Sequence, residues 1–162
     1  MVSPYRILFV DDNIRFLNSI NRYFMNRFSF DVALSGENGL KLLTEKTYAV
    51  IVSDYRMPHM NGIEFLTKAK LLAPDNTRIL FTGHAGLEVA ITAINEGEIF
   101  RFVSKPCDFE LLADFLTVGI EKFKLHVSRR LERPERLDEL NLTPLLTREE
   151  ISMLLSDISD ER

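Results

Sequence analysis

Five short apolar runs punctuate the chain: Ile7-Leu8-Phe9-Val10, Phe30-Asp31-Val32-Ala33-Leu34, Ala49-Val50-Ile51-Val52, Ile79-Leu80-Phe81 and Ile99-Phe100-Arg101-Phe102-Val103. The first, third and fourth are almost uninterrupted, the pattern of strands covered on both faces in a parallel sheet. The second alternates Phe30, Val32 and Leu34 with smaller or polar residues, which predicts a more exposed strand. Between the runs, apolar residues recur at helical spacing. Residues 14–27 carry Ile14, Leu17, Ile20 and Phe24, with Phe28 just beyond, and residues 37–45 carry Leu40, Leu42 and Leu43. Residues 62–72 carry Ile63, Leu66, Ala69 and Leu72 behind a capping Asn61. Residues 86–95 carry Leu87, Ala90, Ile91 and Ile94, with Gly97 as a stop. From Asp108 a long helix is expected through Leu112, Leu116, Ile120, Phe123 and Val127. Strict alternation of strand and helix implies an α/β fold with a doubly wound parallel sheet.

The pattern changes near residue 128. Arg129-Arg130-Leu131-Glu132-Arg133-Pro134-Glu135-Arg136 is dense in charge and holds a helix breaker, as a linker would. Beyond it, Thr147-Arg148-Glu149-Glu150 forms a capping box ahead of Ile151, Leu154, Leu155 and Ile158. The expected organisation is one domain over residues 1–127, then a charged linker and a short amphipathic helix over 128–162. A length of 162 residues suits that division.

Composition narrows the functional classes. A net charge of -4 gives no basic footprint for nucleic acid. The single cysteine, Cys107, excludes an internal disulfide framework. The first residues do not resemble a secretory signal, and no apolar run approaches the roughly 20 residues of a membrane helix. A cytoplasmic protein without membrane contact is the expectation.

Ligands of an open parallel sheet bind beyond the carboxyl ends of its strands. Asp11 and Asp12 follow the first strand, Asp54 the third, Thr82 the fourth, and Ser104, Lys105 and Pro106 the fifth. Three carboxylates, one hydroxyl and one ammonium therefore converge on one edge. Such carboxylates stay ionised at neutral pH if a cation lies among them, and an all-oxygen set favours Mg²⁺. A carboxylate can attack phosphorus without a general base. Lys105 can neutralise charge on the transferred group, and Thr82 can donate a hydrogen bond to it. The constellation reads as phosphoryl transfer to a carboxylate.

Residues 5 to about 125 closely resemble the receiver domains of two-component response regulators. The resemblance rests on Val10-Asp11-Asp12-Asn13, on the run from Ser53-Asp54-Tyr55-Arg56 through Met57-Pro58-His59-Met60-Asn61-Gly62, on Phe81-Thr82-Gly83 and on Phe102-Val103-Ser104-Lys105-Pro106. It implies a flavodoxin-like sheet with strand order 2-1-3-4-5. It implies Asp54 as phosphoacceptor, with Asp11, Asp12, Asp54 and the Arg56 backbone carbonyl as Mg²⁺ ligands. Thr82 and Lys105 would contact the phosphoryl group, Phe102 would reorient on activation, and Lys105-Pro106 would be cis. The donor would be a sensor histidine kinase or a phosphotransfer protein. Output would pass to a downstream protein or domain, or to a second copy through the fourth helix, fifth strand and fifth helix. Such a domain is regulatory and does not turn over an external substrate.

Two alternatives compete. A phosphatase resembling the haloacid dehalogenases would carry its nucleophile after the first strand and a second acid two residues later. Here the first-strand acids are adjacent, and Arg56 stands two residues after Asp54. A receiver-like module that binds partners without phosphate would not need the full set of side chains found here. His84 lies near enough in sequence to bear on dephosphorylation.

Overall fold

The computed structural model describes residues 2–83, 87–95 and 99–132. Five strands form one sheet: β1 (Arg6–Val10), β2 (Ser29–Ala33), β3 (Val50–Asp54), β4 (Thr77–Thr82) and β5 (Arg101–Ser104). Their spatial order is β2-β1-β3-β4-β5, and every pairing is parallel. Five helices separate and follow them: α1 (Ile14–Phe24), α2 (Gly36–Glu45), α3 (Gly62–Leu72), α4 (Leu87–Asn95) and α5 (Phe109–Leu131). This is the doubly wound, flavodoxin-like arrangement expected of the sequence.

The near-continuous apolar strands are explained by two separate cores. Leu8, Val10, Ile51 and Leu80 face one way and pack with residues of α2, α3 and α4, including Leu40, Phe65, Leu66 and Ala90. Ile7, Phe9, Val50, Val52, Ile79 and Phe81 face the other way, against Leu17, Ile20 and Phe24 of α1 and Leu112, Leu116 and Ile120 of α5. Alternate residues of one strand thus serve opposite layers. β2 lies at the sheet edge, and Val32 there is 42% exposed.

Several boundaries differ from the sequence expectation. Helix α1 stops at Phe24, not residue 27, because the Arg27 and Phe28 amides both donate to the Phe24 carbonyl and turn the chain. The Phe28 ring then packs edge-on against Phe24, 5.6 Å between centroids. Ile14, expected on the buried stripe, is exposed, and Phe16 packs inward instead. β4 includes Thr77 and Thr82, polar residues that the apolar run alone omits; the Thr77 hydroxyl is satisfied by donating to the Gly119 carbonyl. Ile99 precedes β5, its amide donating back to the Ala93 carbonyl of α4. Helix α5 continues to Leu131, so the first charged residues past 127 extend the helix. His84, Gly97 and the amphipathic segment 147–158 lie outside the described residues.

Candidate functional site

The carboxyl ends of β1, β3, β4 and β5 converge because the sheet is parallel. After β1, Asp11 is buried and Asp12 is exposed. The Asp11 amide donates to the Ala33 carbonyl, and its Oδ1 accepts from the Asn13 amide at 2.8 Å. Asn13 is the N-cap of α1, with Oδ1 accepting from the Arg15 and Phe16 amides. The aspartate pair is therefore held beside the helix start without being its cap. Asp54 is the last residue of β3 and also buried. One oxygen each from Asp11, Asp12 and Asp54 lie within 4.8 Å of one another.

Lys105 completes the cluster from the end of β5. Its Nζ lies 2.8 Å from Asp11 Oδ2 and 2.9 Å from Asp54 Oδ1. The same ammonium is 4.9 Å from the Phe16 ring centroid and 5.2 Å from that of Phe81, where aromatic faces favour a cation. Burial pushes Asp54 upward; the Lys105 hydrogen bond opposes this, the Asp11 charge adds to it, and the net direction is up. For Lys105, burial works against the charge, but hydrogen bonds to Asp11 and Asp54 prevail and hold it above the ordinary lysine value. A cationic lysine thus sits against a buried carboxyl, Asp54, whose ionisation burial and the Asp11 charge oppose.

The remaining expected residues surround this centre. Thr82 ends β4, buried, with its hydroxyl donating to the Gly83 carbonyl at 3.1 Å. Phe102 lies opposite Leu80 in the β4–β5 register and packs, half-buried, against the α2–α3–α4 side. The Lys105–Pro106 bond is cis. Arg56 is exposed, and it lines with Asp12, Tyr55, Met57, Pro58 and Asn61 a concavity of about 560 Å³. The structure therefore joins Asp11, Asp12, Asp54 and Lys105 directly, with Thr82 at the adjoining strand end. Phe16 and Phe81, the shelf beneath the ammonium, escaped the sequence reading as site residues. Phe16 departs from the stripe of Leu17, Ile20 and Phe24, and this was the available signal.

Comparison with known proteins gives a consistent result. The family model described as response regulator receiver domain matches residues 7–117. The chain is 29% identical over 119 residues to the hydrogenase transcriptional regulatory protein HoxA of Bradyrhizobium diazoefficiens, covering 74% of this chain and 24% of that protein. It spans about a quarter of the length of the curated relatives it matches. Among solved structures, a chain of adenylate cyclase from Rhodopirellula baltica aligns with TM-score 0.78 and 34% identity, over 80% of this chain and 97% of that one. A response regulator receiver domain protein from Clostridium thermocellum aligns with TM-score 0.70 and 30% identity, over 75% and 98%.

Proposed function

The chain belongs to the response regulator receiver domain family of two-component systems, and from that membership we propose that Asp54 accepts a phosphoryl group and that Lys105, Thr82 and Phe102 turn its arrival into a change of shape. The observation that carries the proposal is the single ammonium of Lys105 spanning Asp11 and Asp54 at the converging strand ends. The family is regulatory and not one of catalysts. The match to residues 7–117 favours neither the dehalogenase-like phosphatase nor the phosphate-independent module.

In the proposed reaction an Asp54 oxygen attacks the phosphorus of a phosphohistidine on a sensor kinase or phosphotransfer protein. The O–P bond forms as the P–N bond breaks. The departing imidazole nitrogen keeps the electron pair and takes a proton from solvent, leaving an acyl phosphate on Asp54. Lys105 needs no proton transfer to act, since its partners already hold it charged. Its ammonium is placed to meet a phosphoryl oxygen on Asp54. Thr82 reaches the same group by turning its hydroxyl away from the Gly83 carbonyl. The all-oxygen set of Asp11, Asp12 and Asp54 fits a hard divalent ion, and with the Arg56 carbonyl it would hold Mg²⁺. Such an ion supplies charge neutralisation to the phosphoryl oxygens.

The output reading follows from the exposed flank beside Phe102. Ile91 of α4 and Leu111 and Val118 of α5 are about half exposed. The Arg101 guanidinium of β5 lies over the Phe115 and Phe100 rings, 4.5 and 5.7 Å from their centroids. This α4–β5–α5 face is the proposed surface for a second copy or a downstream partner. Among the described residues no helix is long and apolar enough to cross a membrane; cytoplasmic residence belongs to the proposal.

The deciding experiment is incubation with acetyl phosphate and Mg²⁺, followed by intact mass measurement. One phosphoryl adduct is expected, absent in Asp54→Asn. A full adduct in that variant sinks the assignment.

A further inference from the structure

Both carboxylate oxygens of Asp11 are engaged, and the two lines of contact meet again at one ring. Oδ1 accepts from the Asn13 amide at 2.8 Å, and Asn13 Oδ1 in turn accepts from the Phe16 amide at 3.3 Å. Oδ2 accepts from Lys105 Nζ at 2.8 Å, and that ammonium lies over the Phe16 ring, 4.9 Å from its centroid. The contacts form a closed circuit from Asp11 through Asn13, Phe16 and Lys105 back to Asp11. Phe16 stands in the first turn of α1, so the acid that holds the lysine also sets the helix start that carries the ring.

The ring has firm backing. It stacks on Phe81, 5.2 Å between centroids, and packs on Phe109 at 6.4 Å. Phe81 lies opposite Asp54 in the β3–β4 register, and its carbonyl accepts from the Tyr55 amide. Phe81 is buried in the core, whereas Phe16 is only partly buried. Phe16 is therefore the member of the pair that reaches outward to the site.

Lysine carries a compact, strongly hydrated charge on a flexible four-carbon stem, and the Lys105 side chain is 30% exposed. To meet a phosphoryl oxygen on Asp54, its ammonium must exchange one oxygen partner for another without swinging out to water. Hydrogen bonds to Asp11 and Asp54 are directional and loosen during that exchange. Attraction to a ring face is not tied to one lone pair, so it persists while the oxygen partners change.

We infer that Phe16 is a positioning residue for phosphoryl transfer, its ring face keeping the Lys105 ammonium at the strand ends as the lysine moves from carboxylate to phosphoryl oxygen. This role presupposes Asp54 as the phosphoacceptor and adds an aromatic requirement at position 16.

The test replaces Phe16 in the full chain by phenylalanines bearing one, two and three ring fluorines. These keep the ring shape and progressively weaken the negative face that attracts a cation. Labelling by acetyl phosphate and Mg²⁺ should slow step by step, about fivefold with three fluorines, the size of a partly desolvated cation–π contact. The same series at Phe109 measures the effect of fluorine on packing and should leave the rate unchanged. Urea titrations without divalent cations supply a readout independent of phosphorylation. The midpoint should fall along the Phe16 series in the chain carrying Lys105 and stay level in Lys105→Met. A flat labelling rate along the Phe16 series, an equal gradient at Phe109, or an equal fall of the midpoint in Lys105→Met overturns the role of Phe16 and leaves Asp54 as acceptor. Absence of label in the unsubstituted chain overturns the assignment of Asp54, and the role of Phe16 with it.

Discussion

Asp54 and Gly62 approach so closely that a methyl group on Gly62 would lie 2.1 Å from the Asp54 carbonyl oxygen and 2.9 Å from its carbonyl carbon. The Gly62 amide meanwhile donates to the Tyr55 carbonyl at 2.8 Å. The first residue of α3 is thereby pressed against the strand end that presents the proposed phosphoacceptor. Gly62→Ala must displace one or the other, since neither contact is with a flexible side chain. The expected cost is about 1–3 kcal/mol, as for overpacking, with slower labelling by acetyl phosphate. Gly83→Ala serves as the control, because among the described residues nothing lies within 4 Å of a methyl there. Wild-type melting and labelling in Gly62→Ala would remove any positional role for this contact.

The raised Asp54 carboxyl makes a prediction with a definite sign. Burial, the largest cause, and the Asp11 charge outweigh the Lys105 hydrogen bond. A carboxyl raised by folding contributes stability that is complete below its unfolded value and lost as pH rises through its folded value. At neutral pH the carboxyl is therefore a net burden on the fold. Asp54→Asn should raise the melting temperature by a few degrees near pH 7. The advantage should fade as pH approaches the ordinary aspartate value of about 3.9. A variant that melts with or below the wild type at neutral pH contradicts this.

Divalent cations should relieve the same burden. Millimolar Mg²⁺ is expected to raise the melting temperature by binding only the folded chain. Asp12→Ala should abolish most of the increase, because Asp12 supplies an exposed carboxylate to the cluster. Differential scanning calorimetry with Mg²⁺ and with EDTA measures it. An increase of undiminished size in Asp12→Ala moves the metal elsewhere.

Removing Lys105 should have a cost that depends on the cation. Its ammonium bridges two buried acids, and Lys105→Ala leaves them facing each other. A loss of about 1.5–3 kcal/mol, as for hydrogen bonds to charged groups, is expected in EDTA. Part of it should return with Mg²⁺, which can take over the neutralisation. Urea titrations under both conditions decide this, and equal loss with and without the ion would mean that the lysine acts through packing.

Phosphorylation is expected to alter self-association through the α4–β5–α5 face. Light scattering after size exclusion, with and without beryllofluoride and Mg²⁺, reports the mass. Val118→Lys, at a half-exposed position, should suppress the change without affecting labelling of Asp54. A constant monomer mass in the wild type under both conditions assigns the face to another protein.

Much of this was legible because the chemistry lies where strand ends must lie. Asp11, Asp12, Asp54 and Lys105 each follow an apolar run, and a parallel sheet brings such positions to one edge. Boundaries were less legible where polar residues carry a strand, as at Thr77 and Thr82, whose places depend on β3, β5 and the Gly119 carbonyl. The bridging position of Lys105 over Phe16 and Phe81 depends on distances between elements that no local pattern encodes.

Among the described residues, the order of the strands leaves β2 and β5 with open edges. Each carries a charge within its short span. Asp31 of β2 is engaged by Arg6, Lys46 and Tyr48, while Arg101 of β5 is exposed and lies over the Phe100 and Phe115 rings. Growth of the sheet by a neighbouring molecule would have to bury one of these charged borders beside its own backbone ladder. Short, charged edges discourage that kind of annealing. The architecture thereby protects against runaway stacking of copies and directs reversible encounters to its helical flanks.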